Sequence, residues 1–321
     1  VIGNRNVSIG TCALIETEIN SAENLRGDFQ NKTICISVDH DRNWNLPSAD
    51  FHILVILEPR AVMPWQYNQE NHQFFDLVLC FNPWRARNLR LRSRALQPYE
   101  RTSDFISSTK ARKHTLVFVN SHKFSACKSS NYALRREIIN ILSAEKIDFL
   151  HFGENWNMNR SIESRKRLHA LRDTILAKEK ISAREFLGGL WWRYPQYLGV
   201  CNDKLEVLGN SLFSLTIEND QDCLSEKLLD SIVAGCIPIY VGVDFSEDFP
   251  ELEECIFRFR GKAKDLPKFL LNINEKDVEE KQCAIDALQK NSEFWALWRS
   301  TENWNLICND IISVLGEKGN I

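Results

Sequence analysis

The sequence predicts an α/β protein of two domains, and three observations carry that prediction. Four early segments are short, rich in β-branched or aromatic residues and without strict polar alternation, as parallel strands covered on both faces are. Two later stretches run strand, helix, strand. At 321 residues the chain exceeds what one hydrophobic core usually supports.

In order, the early strands are expected at Asn6 to Ala13, Thr33 to Val38, Phe51 to Leu57 and Asp76 to Phe81. Between Asn82 and Lys113 the apolar periodicity lapses, and Arg85, Arg87, Arg90, Arg92 and Arg94 crowd before a polar stretch. The domain boundary is placed there, dividing 1–109 from 110–321. A strand at Thr115 to Val119, a helix at Tyr132 to Ala144 and a strand at Ile147 to Phe152 follow. Residues Arg160 to Glu185 suggest one or two exposed amphipathic helices. A second unit has strand Leu212 to Ile217, helix Ser225 to Ala234 and strand Ile237 to Val241. Helices are expected at Lys262 to Leu271, Val278 to Lys290 and Phe294 to Leu315, where Phe294, Trp295, Leu297, Trp298 and Trp304 are read as core.

Composition is that of a globular chain, with 44% apolar, 26% charged and 10% aromatic residues. A net charge of -3 argues against nucleic-acid binding, and no apolar run reaches the ~20 residues of a membrane span. The chain starts at Val1 without a charged-then-apolar leader, so any leader or anchor is expected upstream. The ten cysteines are scattered without a CxxC pair, which disfavours zinc. Cys35 and Cys80 fall in apolar runs and are read as reduced core residues. Sequons at Asn6, Asn31 and Asn159 leave the compartment open.

The chemistry concentrates between Phe213 and Gly242. A buried strand ends in Glu218-Asn219, a loop follows, and Ser225-Glu226-Lys227-Leu228 opens a helix with Ser225 as the expected N-cap. A helix N-terminus offers N–H donors to a diphosphate, Lys227 adds positive charge, and Glu218 or Glu226 can accept from ribose or sugar hydroxyls. Gly235 is the expected helix stop.

The run Phe213-x-Leu-x-Ile-Glu218-Asn219, then Ser225-Glu226-Lys227-Leu228, then Ala234-Gly235-x-Ile-Pro238-Ile-Tyr240-x-Gly242 resembles the donor motif of the α-1,3-fucosyltransferases, glycosyltransferase family 10. The resemblance implies a GT-B architecture, two Rossmann-like domains facing a cleft. The first would bind the acceptor and the second the GDP-sugar, with a helical C-terminal tail. It implies inverting transfer of L-fucose from GDP-fucose, with no cofactor, to an N-acetylglucosamine- or glucose-containing glycan. Glu218, Asn219, Ser225, Glu226 and Lys227 then fall at the donor site. The loop before Glu226 looks shorter than in familiar members, and Cys223 stands where many carry a tyrosine. Such an enzyme would be cytoplasmic if bacterial, or lie in the Golgi lumen if this is an excised eukaryotic domain.

Ser121 and Arg135 resemble the family's serine-bearing loop and phosphate-contacting arginine, with Arg136 as competitor. Leu57-Glu58-Pro59 resembles its turn bearing the general base, making Glu58 the candidate to deprotonate the acceptor hydroxyl. Trp65 and Tyr67 suit either sugar stacking or loop packing, and His52 reads as a core histidine. Asp39-His40-Asp41 imitates a metal-binding DxD, but no metal is expected because the helix and Lys227 supply positive charge. The alternatives are a different nucleotide sugar or a non-catalytic carbohydrate-binding relative.

Overall fold

The computed structural model of the chain describes residues 2–3, 32–40, 46–91, 93–100, 104–189 and 192–319. Its strands are β1 (Ile2–Gly3), β2 (Ile34–Val38), β3 (Phe51–Ile56), β4 (Leu77–Cys80), β5 (His114–Val119), β6 (Leu150–Phe152), β7 (Ser211–Ile217), β8 (Ile237–Val241) and β9 (Phe257–Arg258). Helices include α1 (Pro83–Leu89), α2 (Tyr132–Ala144), α3 (Arg160–Leu176), α4 (Ala183–Leu187), α5 (Lys204–Gly209), α6 (Glu226–Val233), α7 (Glu275–Gln289) and α8 (Ser300–Gly319). The expected strand at Asn6 to Ala13 lies outside the described residues. Two compact units form, Val1–Glu100 with Trp295–Ile321, and Arg101–Phe294.

The first unit is a parallel sheet in the order β1-β2-β3-β4. Its apolar runs do not alternate with polar residues because both faces are covered. Ile53 and Val55 of β3 join Ile34, Ile36 and Val38 in one cluster, while Leu54 and Ile56 turn to another with Tyr67, Ala86 and Leu89. The first cluster is closed by Ile307, Cys308, Ile311 and Leu315 of α8. The C-terminal helix therefore packs with the first sheet, whereas the sequence reading kept it with the second domain. Helical periodicity identifies an apolar face but not the sheet it covers.

The second unit is a parallel sheet in the order β6-β5-β7-β8-β9. Helix α2 buries Ile138, Ile139 and Leu142, and Gly235 ends α6 at φ +63°, the left-handed position a helix-stop glycine favours. A Cβ there would come within 2.3 Å of the Ile106 carbonyl oxygen. The architecture is the expected α/β class, two Rossmann-like units each built on a parallel sheet.

Three local expectations change. Pro83–Leu89 is helical, although its arginines mask the pattern, and Arg85 is fully buried with Nη1 donating to the Leu57 carbonyl at 2.8 Å. The Trp-rich stretch breaks between a helix at Ser292–Ala296 and α8. Phe294 and Trp298 are core, but Leu297 is 49% exposed. No helix among the described residues is long and apolar enough to cross a membrane.

Candidate functional site

In the second unit β5 lies between β6 and β7, so the chain winds away from the β5–β7 pair in both directions. The crevice outside the carboxyl ends of such a pair is where open α/β sheets bind ligands. Asn120 and Ser121 follow β5 there, and Glu218 and Asn219 follow β7. Ser121 is half-buried in its loop, which the next strand's turn holds in place. The Asn120 N–H donates to Phe152 O at 3.1 Å, its carbonyl accepts from Trp156 Nε1 at 2.5 Å, and His122 N–H donates to Glu154 O at 2.8 Å.

The motif residues after β7 form one connected cluster. Glu218 is fully buried, its Oε1 accepting from Ser225 N–H at 2.9 Å and its Oε2 from Ser225 Oγ at 2.6 Å. Lys227 Nζ donates to Ser225 Oγ at 3.0 Å and to Glu226 Oε1 at 3.3 Å, and lies 3.9 Å from Glu218 Oε2. The expected N-cap bond from Ser225 is absent: its backbone is extended as a cap should be, but its hydroxyl donates to the buried carboxylate and accepts from the Lys227 ammonium, a charged donor, in place of a helix N–H. No side chain caps α6, which leaves its positive end uncovered by one.

Electrostatics separate the two glutamates. Burial raises the Glu218 carboxyl above its ordinary range, against the opposing pull of Lys227 and Ser225. Glu226, whose side chain is 45% exposed, overcomes its desolvation through Lys227 and Lys204 and is pulled down to about 2. Burial works against the Lys227 charge, but Glu226 and Glu218 outweigh it and raise its pKa. Glu226 is thus an ionised, accessible acceptor, while both oxygens of Glu218 are spent on Ser225. Lys204, which sequence reasoning missed, ties to Asp230 Oδ2 at 2.5 Å. Lying far from the motif in sequence, it left no signal.

The two candidate arginines part company. Arg136 is enclosed, donating to the carbonyls of Gly188, Lys123 and Glu185 at 2.7, 3.1 and 2.9 Å, which makes it structural. Arg135 reaches the site, its Nη2 donating to the Ile217 carbonyl and to Asn219 Oδ1, the latter at 2.8 Å. It is only 2% exposed and lies over the Tyr132 ring. Its fork faces the end of β7 rather than solvent and fixes Asn219.

Glu58 stands in the first unit, at the carboxyl end of β3. Asp39 Oδ1 accepts from Leu57 N–H, Glu58 N–H and Gln66 Nε2 at 2.8, 3.0 and 3.0 Å, and Tyr67 Oη donates to the Glu58 carbonyl at 2.9 Å. The turn is fixed through its backbone, with the side chain half-buried. Asp39, candidate for a DxD pair, is itself 5% exposed and engaged in this turn; Asp41 lies outside the described residues. Tyr67 is 4% exposed, so loop packing accounts for it. His52 is half-buried on β3, and its Nδ1 has no hydrogen-bond partner, unlike a satisfied core histidine.

No protein-family profile and no curated protein matches the chain. Among solved structures it is similar to a glycosyltransferase from Rickettsia africae, with 10% identity and a TM-score of 0.45 over 97% of this chain and 82% of that one. It is also similar to Anabaena HepE in complex with UDP and glucose, with 10% identity and a TM-score of 0.49 over 94% and 81%. A UDP-forming α,α-trehalose-phosphate synthase from Burkholderia vietnamiensis shows 12% identity and a TM-score of 0.44 over 95% and 80%.

Proposed function

We propose that the chain is a nucleotide-sugar-dependent inverting glycosyltransferase that moves L-fucose from GDP-fucose to a hydroxyl of an acceptor glycan. The acceptor would be an N-acetylglucosamine- or glucose-containing oligosaccharide, joined in α-1,3 linkage. The observation that carries this reading is the Ser225-Glu226-Lys227 cluster at the start of α6, beside the switch point of a doubly wound sheet. The choice of GDP-fucose rests on the motif resemblance.

In this reading the helix N–H groups and Lys227 hold the diphosphate, and Glu226 accepts from the ribose hydroxyls. Glu218 and Arg135 act as positioning residues, the first for Ser225 and Lys227, the second for Asn219. Glu58 removes the acceptor proton as the hydroxyl oxygen attacks the anomeric carbon from the face opposite the GDP. The bond from that carbon to the diphosphate breaks, and the departing charge is met by Lys227 and the helix end. No metal ion or other cofactor is called for.

The test is GDP release and product formation from GDP-fucose with a panel of acceptor oligosaccharides, alongside GDP-mannose and UDP-glucose. Transfer from GDP-fucose supports the proposal. Turnover of UDP-glucose alone removes the donor assignment, and no turnover with retained glycan binding removes the enzyme assignment.

A further inference from the structure

A cavity of about 210 Å³ opens in the second unit at the carboxyl ends of β8 and β9, with Asn131, Gln221, Tyr240, Gly242, Asp244 and Arg260 in its lining. Asn131 is the informative residue. It occupies the N-cap position of α2, yet its side chain makes no capping bond. Ser130 Oγ instead accepts from the Tyr132 N–H at 3.1 Å. The Asn131 backbone N–H donates to the Asn219 carbonyl at 3.1 Å, which fixes the residue beside the β7 end. Its side chain serves neither bond, the residue is 6% exposed, and Nδ2 has no hydrogen-bond partner. A buried donor left unpaired is costly, so one that lines a cavity points to an acceptor on a ligand.

The rest of the lining narrows the ligand. Arg258, the other cation at the cavity, is committed to Glu253 and to the Val243 carbonyl. Arg260 Nη2 is paired with Asp244 Oδ2 at 2.6 Å at the exposed rim. Both guanidinium groups are thus neutralised, which disfavours a phosphate. Asp244, which accepts from Ser246 N–H and Oγ at 3.2 and 2.7 Å and from Arg260 and keeps further lone pairs, and the Asn131 amide offer an acceptor and a donor, a combination suited to a neutral polyhydroxylated ring. The volume is ample for one sugar ring. The cavity also adjoins the motif cluster: a Cβ placed on Gly242 would lie 2.7 Å from Glu218 Cγ and 2.3 Å from Tyr240 Oη.

We infer that this cavity is the subsite for the transferred sugar ring of the nucleotide-sugar, with Asn131 Nδ2 donating to a ring hydroxyl and Asp244 accepting from another. The inference rests on the proposed nucleotide-sugar reading and adds the residues that select the sugar.

Calorimetric titration of the wild type, Asn131→Ala and Asp244→Asn with GDP and with GDP-fucose tests it. In Asn131→Ala the GDP affinity stays within about twofold, while the ratio of the GDP-fucose to the GDP dissociation constant rises about tenfold. Asp244→Asn shifts that ratio in the same direction and serves if Asn131→Ala does not fold. An equal loss for both ligands would place the nucleoside in the cavity and overturn the inference. Unchanged affinity for both would also overturn it. A wild type that binds neither ligand refutes the nucleotide-sugar reading itself, a result distinct from either.

Discussion

Two glutamates follow buried parallel strands in this chain, Glu58 after β3 and Glu218 after β7, and the fold treats them in opposite ways. Around Glu58 the protein grips the backbone: its N–H goes to Asp39 and its carbonyl accepts from Tyr67. At Glu218 the protein grips the carboxylate, with Ser225 on both oxygens and Lys227 close by. A carboxylate held on both oxygens in a fully buried position organises its neighbours rather than meeting substrate. At Glu58 it is the main chain that Asp39 and Tyr67 fix. The same sequence pattern thus yields a buried organising carboxylate in one unit and a fixed turn in the other, and the proposed function assigns the base to that turn.

The largest expected effect tests the Glu58 side of that contrast. Glu58→Gln should lower transfer by about 10²- to 10⁴-fold, the range typical of a lost general base, with GDP affinity and melting temperature little changed. Surviving turnover in a steady-state assay would remove Glu58 from the chemistry. Glu218→Ala should instead act on stability, by about 2–4 kcal/mol in denaturant unfolding, because Ser225 loses its acceptor and Lys227 a buried partner.

A pH series sharpens the picture of the buried side of the second unit. Burial lowers His122, helped by Arg136, and burial alone lowers His151, each from 6.5 to about 3. Both stay neutral in the folded protein while the unfolded chain takes up protons near 6.5. Stability should therefore fall as pH drops from about 6.5 toward 3, by up to about 1.4 kcal/mol per pH unit for each histidine. His151→Phe, in a site already ringed by Phe118, Phe149 and Trp156, should remove about half of that slope between pH 7 and 5 in thermal melts. The smallest effect is expected for Glu226→Gln, about threefold to tenfold in GDP affinity by calorimetry, since the proposed function gives this exposed carboxylate one ribose contact.

The strand-helix-strand rhythm was legible because it is local. Tyr132–Ala144 and Ile237–Val241 fall where the apolar pattern puts them, and Gly235 ends its helix as its lack of a Cβ allows. The motif residues Glu218, Ser225, Glu226 and Lys227 were likewise visible as a run, and they do meet in space. What the sequence could not show was direction and partnership. Ser225 reads as a helix cap, but its hydroxyl turns back to a carboxylate seven residues upstream. Arg135 and Arg136 are adjacent and chemically identical, and only the helix rotation sends one to Asn219 and the other to the Gly188 and Glu185 carbonyls. Helix α8 has a clear apolar face, yet its choice of the first sheet depends on contacts hundreds of residues away. Asn131 gave no signal at all, since an asparagine before a helix reads as an ordinary cap.

The central claim is that the start of α6 binds a nucleoside diphosphate through Lys227, and calorimetry of GDP with the wild type and Lys227→Ala tests it most directly. The account predicts measurable GDP binding by the wild type and a loss of about 10- to 100-fold in the variant, at an unchanged fold by circular dichroism. Equal affinity in the two proteins would contradict it.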